Sequence, residues 1–201
     1  MWSVRRAVPL LECGEFSGSG VDGNDANPEN AIESEPMSIP ANIDDKLHAM
    51  GLTLPQVPAP GGNYASARRS GNLVYLAGVI SADAGGVMSG TVGQERTVED
   101  GYAAARACAL TQLAVLRNEL GTLNAIEQVL TLNGYVNAVL GFPDSPTVIN
   151  GASDLLVELL GEAGRHARAA VGVCALPRNA MVEVQMVVCV APEKMRTGAA
   201  S

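Results

Sequence analysis

The sequence predicts an α+β fold in which one β-sheet carries two helices on the same face. Its patterned segments follow the order strand, strand, helix, strand, helix, strand, strand, which is typical of a sheet with helical crossovers. Both helices lie on one face if their crossovers are right-handed. The chain has 201 residues, of which 47% are hydrophobic, enough for one globular domain with extensions. The opposite sheet face would be bare, so we expect the chain to associate with copies of itself.

The first elements of this domain are a short helix and a hairpin. A helix is predicted over residues 43–50, and prolines then keep residues 55–60 extended. Two strand-like runs, 64–69 and 73–77, are separated by Ser-Gly-Asn, whose tolerance of positive φ suits a tight reversal. The segment 81–94, rich in Gly, Ser and Asp, is predicted to be a loop.

Two amphipathic helices frame the central strand. Thr97-Val98-Glu99-Asp100 has the residue types of a capping box, and Gly121 ends the helix that follows it. The run 129–139 has the length and the branched side chains of a strand. Ser145-Pro146 combines a cap residue with the residue best suited to the first helical position, and leucines then recur on one face until Gly161.

Two charged side chains stand in the last strands, which are predicted over residues 168–174 and 181–190. Arg168 and Glu183 lie in otherwise apolar runs, and a buried charge is tolerated only when it is paired or holds a ligand. A hairpin of these strands would put Glu183 opposite residue 173, about 16 Å along the strand from Arg168. Either the strands are not neighbours, or each charge serves something other than the pair. A structural ion pair and a ligand site are both open interpretations.

Other polar residues are weaker candidates. His166, beside two arginines, is either a solvated surface histidine or a general base. Asn150, near the start of the second long helix, either satisfies backbone groups or contacts a substrate. His48 is expected on the surface of the short helix, and Tyr64 is either a strand aromatic or part of a site. Two distant histidines and no close cysteine pair predict that the protein has no metal centre.

The charge balance limits the partners of the protein. Thirteen Lys and Arg stand against twenty-one Asp and Glu, a net charge of −8 that repels phosphate backbones and anionic lipid heads. We therefore expect no nucleic-acid partner. The longest apolar stretch is far shorter than the roughly 20 residues that cross a bilayer, so no membrane partner is expected either.

Cysteine usage favours a reducing, cytoplasmic location. Cys13, Cys108, Cys174 and Cys189 show no CxxC spacing, and the last three lie in apolar runs. Free buried thiols are the interpretation that this pattern favours over disulfides or a zinc site.

Composition separates the ends of the chain from its centre. Residues 1–36 have few large apolar side chains and are predicted to be a disordered extension or leader, with Met37 as a candidate initiator. One domain is expected over 37–192 and a flexible tail over 193–201. The run Gly18–Gly23 matches the pattern GxGxxG, but no strand precedes it and no helix follows it. It therefore predicts no dinucleotide site, and no cofactor is expected.

Several short motifs, taken in their order along the chain, resemble the Rid family of reactive-intermediate deaminases, of the YjgF type. The resemblance spans about residues 60–190 and is closest to a longer branch often labelled endoribonuclease L-PSP. The motifs that carry it are Gly62-Asn63-Tyr64, Leu76-Ala77-Gly78, Val148-Ile149-Asn150, Ala167-Arg168, Ala175-Leu176-Pro177 and Val182-Glu183-Val184.

This resemblance implies a chorismate-mutase-like α+β fold with a mixed sheet, assembled as a trimer with ligand clefts between subunits. It implies that Arg168 binds the carboxylate of a 2-imino or 2-enamino acid and that Glu183 helps to position water. Tyr64 and Asn150 match cleft positions, and the backbone of Gly78 is expected to line the same cleft.

Two residues depart from the family pattern. Ala77 stands where typical deaminases have a serine hydroxyl, and Ala170 replaces a cysteine two residues after the arginine. The arginine anchor is kept, but part of the polar cleft is lost.

Three functions follow from these residues. The first is a cofactor-free deaminase of small 2-imino or 2-enamino acids, because an electrophilic imine needs mainly orientation and an activated water. The alternative is a noncatalytic trimer that binds small carboxylates or a protein partner, which the Ala77 departure favours. A ribonuclease is the third, and the acidic charge makes it the least favoured.

Overall fold

The computed structural model of the protein describes residues 42–192. The predictions for residues 1–36, for the initiator at Met37, for Cys13 and for the tail 193–201 lie outside the described residues. Within the described part, the helices are α1 (Ile43–Ala49), α2 (Val98–Leu120) and α3 (Ser145–Leu160). The strands are β1 (Ala67–Ser70), β2 (Leu73–Leu76), β3 (Val79–Ile80), β4 (Ala82–Asp83), β5 (Gly86–Val87), β6 (Ile126–Asn137), β7 (Ala167–Val173) and β8 (Val182–Val190).

One mixed sheet organises the domain, as predicted. Its strands follow the order β1-β2-β8-β6-β7, and β3 also pairs with β8. Strand β6 pairs in parallel with β7 and antiparallel with β8, so β7 and β8 lie on either side of β6 and are not neighbours. This answers the question that the spacing of Arg168 and Glu183 left open, because these strands do not form a hairpin.

Both long helices cover one face of the sheet, which confirms the predicted α+β arrangement. Helix α2 packs against β8 and α3, and α3 packs against β6 and β7. The side chains that β8 sends to this face are buried, namely Val182, Val184, Met186 and Val188. Gly134 of β6 lets α3 approach closely, because a Cβ at this position would overlap Ile149. The core therefore lies between the sheet and the two helices.

No helix covers the opposite face of the sheet in the described part of the chain. Tyr75 of β2 and Val171 of β7 both belong to this face, because they pair with residues that alternate with the core positions. Tyr75 is 48% exposed and Val171 46% exposed. An apolar open face of this kind is what the sequence predicted.

The capping predictions had mixed outcomes. Thr97 and Asp100 form a capping box in both directions, and Gly121 ends α2 with a left-handed φ of 78°. The N-cap of α3, in contrast, is Asp144 and not Ser145. Ser145 is the first helical residue, and its buried hydroxyl has no partner among the described residues. Pro146 therefore occupies the second helical position, one later than predicted.

Three smaller predictions are corrected. Segment 81–94 is not only a loop, since it contains the β4–β5 hairpin. Strand β1 begins at Ala67, so Tyr64 precedes the strand and is not a strand aromatic. Of the described cysteines, which are all free, only Cys108 is buried, because Cys174 lies just after edge strand β7 and Cys189 on the open face. None of the helices between residues 42 and 192 has the length and hydropathy that crossing a bilayer requires.

Candidate active site

Helix α3 and strand β7 bring an arginine together with three polar side chains. Arg168 lies opposite Leu132 of β6, so its side chain leaves the sheet on the helix-covered face. There its Nη1 donates hydrogen bonds to Oδ1 of Asn150 at 2.8 Å and to Oγ of Ser153 at 3.0 Å. Asn150 and Ser153 are three residues apart on α3 and therefore share a face. We call Arg168, Asn150, Ser153 and His166 the arginine corner.

His166 occupies this corner and is not the solvated surface histidine that was one interpretation of the sequence. It is half-buried, its Nε2 lies 3.1 Å from Oγ of Ser153, and its Nδ1 lies 2.7 Å from the carbonyl oxygen of Gly164. Burial is the main cause that lowers the pKa of His166, and the nearby Arg168 charge lowers it further, while the bond to Gly164 opposes both. The lowered pKa favours the neutral imidazole at pH 7.

A second cluster surrounds Glu183. The register between β8 and its neighbours changes by one residue, from the pair Tyr75–Val187 to the pair Val79–Val184. The extra residue is a β-bulge at Ala77-Gly78. It brings the backbone of Gly78 against Glu183 so closely that a Cβ at Gly78 would overlap Oε1 of Glu183. A side chain at position 78 would therefore displace the Glu183 carboxylate from its place.

The carboxylate of Glu183 faces a cavity of about 840 Å³. Tyr64, Ala77 and Gly78 line the same cavity, and the proline-rich segment 55–60 forms one wall of it. We call this the glutamate cavity. Burial raises the pKa of Glu183 above its usual value of 4.5. No hydrogen bond or ion pair holds this carboxylate within residues 42–192, so its charge is not compensated there.

The structure divides the residues that the sequence singled out into two groups. Asn150 contacts Arg168 directly, whereas Tyr64, Ala77 and Gly78 line the same cavity as Glu183. The two groups do not meet each other in one chain. Glu183 lies opposite Tyr135 of β6, on the open face, whereas Arg168 points to the helices. The Cα atoms of Arg168 and Glu183 are two strands apart across the sheet and three residues apart along it, a distance of roughly 14 Å. Their side chains leave the sheet on opposite faces.

Sequence reasoning missed two residues that position the site, Gln112 and Ser153. Gln112 of α2 is fully buried, and its Nε2 donates to the carbonyl oxygens of Ala77 at 2.9 Å and Val184 at 2.7 Å. These bonds hold the bulge beside Glu183 from the helix side. The sequence contained one indication of Gln112, because this amide side chain stands between Ala109 and Leu116 on the apolar face of α2. Ser153 carried no comparable signal.

Arg168 has no carboxylate partner among residues 42–192, and both of its recorded acceptors are neutral. Its cation is therefore available to bind an anion. In the same part of the chain, no group of three or more His, Cys, Asp or Glu side chains could hold a metal ion.

The protein combines one mixed sheet, two helices on one face of that sheet, and separate cationic and acidic clusters. These features define a class of proteins, and comparison with protein families agrees with it. The family described as "YjgF/chorismate_mutase-like, putative endoribonuclease" matches residues 44–190. The chain belongs to this family, and the resemblance seen in its motifs is confirmed.

Three relatives show how far the similarity reaches. Protein TCP17 of Trypanosoma cruzi is 42% identical over 156 residues, which are 76% of this chain and 98% of that protein. The crystal structure of protein Atu1372 from Agrobacterium tumefaciens, of unknown function, is 41% identical with a TM-score of 0.69, and covers 74% of this chain and 92% of that one. A "putative endoribonuclease" from Shewanella oneidensis is 34% identical with a TM-score of 0.71, over 74% and 99% of the two chains.

Proposed function

We propose that the protein is a cofactor-free deaminase that hydrolyses 2-imino and 2-enamino acids to 2-oxo acids and ammonia. The observation that carries this proposal is the pair of uncompensated charges, a guanidinium held only by neutral acceptors and a carboxylate desolvated in a cavity. The cation fits the substrate carboxylate, and the acid fits a water that must lose a proton. Family membership supports this assignment without specifying the reaction.

In the proposed reaction, Glu183 accepts a proton from water as the water oxygen bonds to C2 of the imine. The C=N double bond becomes a single bond, and its nitrogen takes up the proton that Glu183 accepted. The hydroxyl proton of the resulting carbinolamine then passes through Glu183 to the nitrogen, the C–N bond breaks to release ammonia, and the remaining oxygen becomes the carbonyl of the 2-oxo acid. A 2-enamino acid enters this sequence as its 2-imino tautomer, after a proton moves from its nitrogen to C3. Water and imine are consumed, and ammonia and oxo acid are released. Arg168 holds the carboxylate throughout, so that C2 stays in reach of the water.

The site is proposed to be composite, with Arg168 of one subunit facing the glutamate cavity of the next. Within one chain the two charges leave opposite faces of the sheet, roughly 14 Å apart at Cα, so a small substrate cannot bridge them. The exposed apolar side chains Tyr75 and Val171 supply a surface through which copies could associate. We propose that the assembly is the homotrimer that the family resemblance implied.

Mixing two inactive variants tests both the reaction and the composite site. Arg168→Ala subunits keep Glu183, and Glu183→Gln subunits keep Arg168. Co-refolding them in equal amounts should restore about one quarter of the wild-type rate of ammonia release from freshly generated 2-imino acids, because one site in four receives both intact residues. A mixture that stays as inactive as its parents would contradict the composite site. Light scattering on the same samples should give the mass of a trimer.

The substitution at Ala77 supports a second candidate, a noncatalytic carboxylate-binding trimer. Without a hydroxyl at this position, the cavity can bind a ligand with less control of the water. This candidate predicts that 2-oxo acids bind in an Arg168-dependent manner while imines decay at their uncatalysed rate. Ribonuclease activity is not favoured by the net charge of −8. RNA cleavage that copurifies with the protein and is lost in Arg168→Ala would revive it.

A further inference from the structure

The arginine corner is ordered in a way that defines which N–H groups remain for a ligand. Nη1 of Arg168 carries two hydrogens, and its bonds to Asn150 and Ser153 use both of them. These bonds fix the plane of the guanidinium. On the other edge, Nε–H and one N–H of Nη2 remain side by side, which is the arrangement that binds a carboxylate through two parallel hydrogen bonds.

A chain of hydrogen bonds behind this contact sets the direction of each proton. The carbonyl oxygen of Gly164 can only accept, so Nδ1 of His166 must carry the proton, and Nε2 of the neutral ring must accept. The hydroxyl of Ser153 therefore donates to Nε2 at 3.1 Å and offers its lone pairs to Arg168. Without the histidine, the serine proton would be free to turn toward the guanidinium and would oppose the cation.

Building on the proposed deaminase site, we propose that Ser153 and His166 are positioning residues that hold Arg168 in the orientation that binds the substrate carboxylate. They act in series, since His166 reaches Arg168 only through the serine hydroxyl. Neither residue needs to contact the substrate. The role assigns a function to the Gly-Arg-His-Ala-Arg segment, in which the histidine could also have been a general base.

The series arrangement predicts a particular pattern among variants. In titration calorimetry with 2-oxobutanoate, Ser153→Ala and His166→Asn should each weaken binding about tenfold, the effect of losing one hydrogen bond to a charged group. The double variant should also lose about tenfold and not a hundredfold, because either change breaks the same chain. In the imine assay, KM should rise while kcat is largely kept.

Two matched variants separate positioning from general damage. Asn at position 166 can still reach the Gly164 carbonyl but not Ser153, whereas Gln can place an accepting oxygen near the position of Nε2. His166→Gln should therefore recover most of the affinity that His166→Asn loses. Arg165→Ala, next in sequence, removes an exposed arginine that pairs with Glu162 at 2.7 Å, and should leave binding unchanged. Circular dichroism checks the fold of each variant, and the two His166 variants carry the test if Ser153→Ala does not fold.

The possible outcomes separate the positioning role of Ser153 and His166 from the proposed role of Arg168 as anchor. Wild-type affinity in Ser153→Ala, a hundredfold loss in the double variant, or equal losses in His166→Asn and His166→Gln would overturn the positioning role. If only Arg168→Ala loses binding, the positioning role fails while the proposed anchor stands. If Arg168→Ala itself binds like wild type, the anchor of the proposed function is wrong and the positioning role is overturned with it.

Discussion

The arginine corner and the glutamate cavity place their charges in opposite ways. Arg168 has two neutral acceptors, and one of them is itself fixed by His166, so its direction is set before a ligand arrives. Glu183 has no recorded partner within residues 42–192 and is placed by backbone, through the bulge at Gly78. A binding group gains from a fixed orientation, whereas a base gains from a raised pKa and freedom to take a proton. The contrast matches an anchor and a general base.

Removing the anchor should have the largest effect. Arg168→Ala loses two charge-assisted bonds of about 1.5 to 3 kcal/mol each, so the affinity for a 2-oxo acid should fall by roughly 10² to 10⁴. Arg168→Lys should recover little of it, because an ammonium cannot offer the same planar fork. Calorimetry measures this directly. Wild-type affinity in Arg168→Ala would show that Arg168 has a structural role and does not anchor the ligand.

Removing the base should come next and should act on a different quantity. Glu183→Gln keeps the shape of the side chain, so binding should remain while kcat falls about 10²-fold, the usual scale for a positioned general base. Burial raises the pKa of Glu183. The wild-type kcat should therefore fall as the pH drops through that pKa, because the base becomes protonated, and this acid limb should vanish in the variant. If Glu183→Gln lowers the affinity as much as it lowers kcat, Glu183 also binds the substrate, and its role is not distinct from that of Arg168.

The elements of this fold could be predicted from sequence, but their pairing could not. The capping box at Thr97, the hairpin after Ala67 and the period of β8 are local patterns, and each matches the structure. The position of β6 between β7 and β8 depends on which strands a tertiary core brings together, and no local pattern records it. The separation of Arg168 from Glu183 follows from that order together with the strand register.

The candidate site shows the same division. Arg168 and Glu183 were visible as charges in apolar strands, where a buried charge is unusual. Glu183 is half-buried, but the expected burial of Arg168 is wrong, because Arg168 lies exposed on edge strand β7. His166 stands in a polar run where an exposed ring is the ordinary expectation, and its contact with Ser153 of α3 is a tertiary feature that the local sequence does not show. Ser153 is an ordinary helix residue by composition. Its role depends on a neighbour 15 residues later in the chain, which helical spacing cannot reveal.

The bulge offers a smaller test of how the glutamate cavity is built. A Cβ in Gly78→Ala would overlap Oε1 of Glu183, so the carboxylate must rotate away from its place. We expect kcat to fall about tenfold, because a displaced carboxylate no longer holds the attacking water in position. The affinity for a 2-oxo acid should stay near the wild-type value. Gly85→Ala, on the nearby β4–β5 hairpin, serves as the control, since its Cβ would meet only an Asp83 carboxylate oxygen at 3.2 Å. Unchanged kcat in Gly78→Ala would show that the close approach does not position the base.

The smallest effect concerns stability, and it follows from the raised pKa of Glu183. For an acid whose folded-state pKa exceeds its unfolded value, the stabilising contribution is present at low pH and is lost as pH rises through the folded pKa. At pH 7.5 the charged Glu183 therefore destabilises the folded chain, and Glu183→Gln should relieve this.

The measurement belongs in an Arg168→Ala background, because the cation proposed to face Glu183 across the interface would otherwise offset the desolvation. In this background, Glu183→Gln should raise Tm by about 1 to 3 °C at pH 7.5. At pH 4 it should change Tm by nothing measurable, because the protonated glutamate and the glutamine that replaces it are then both neutral. The gain should be smaller with Arg168 intact, and the difference reports the coupling between the two regions. If the gain is the same in both backgrounds, Arg168 and Glu183 do not face each other in the assembly, and the composite site is wrong.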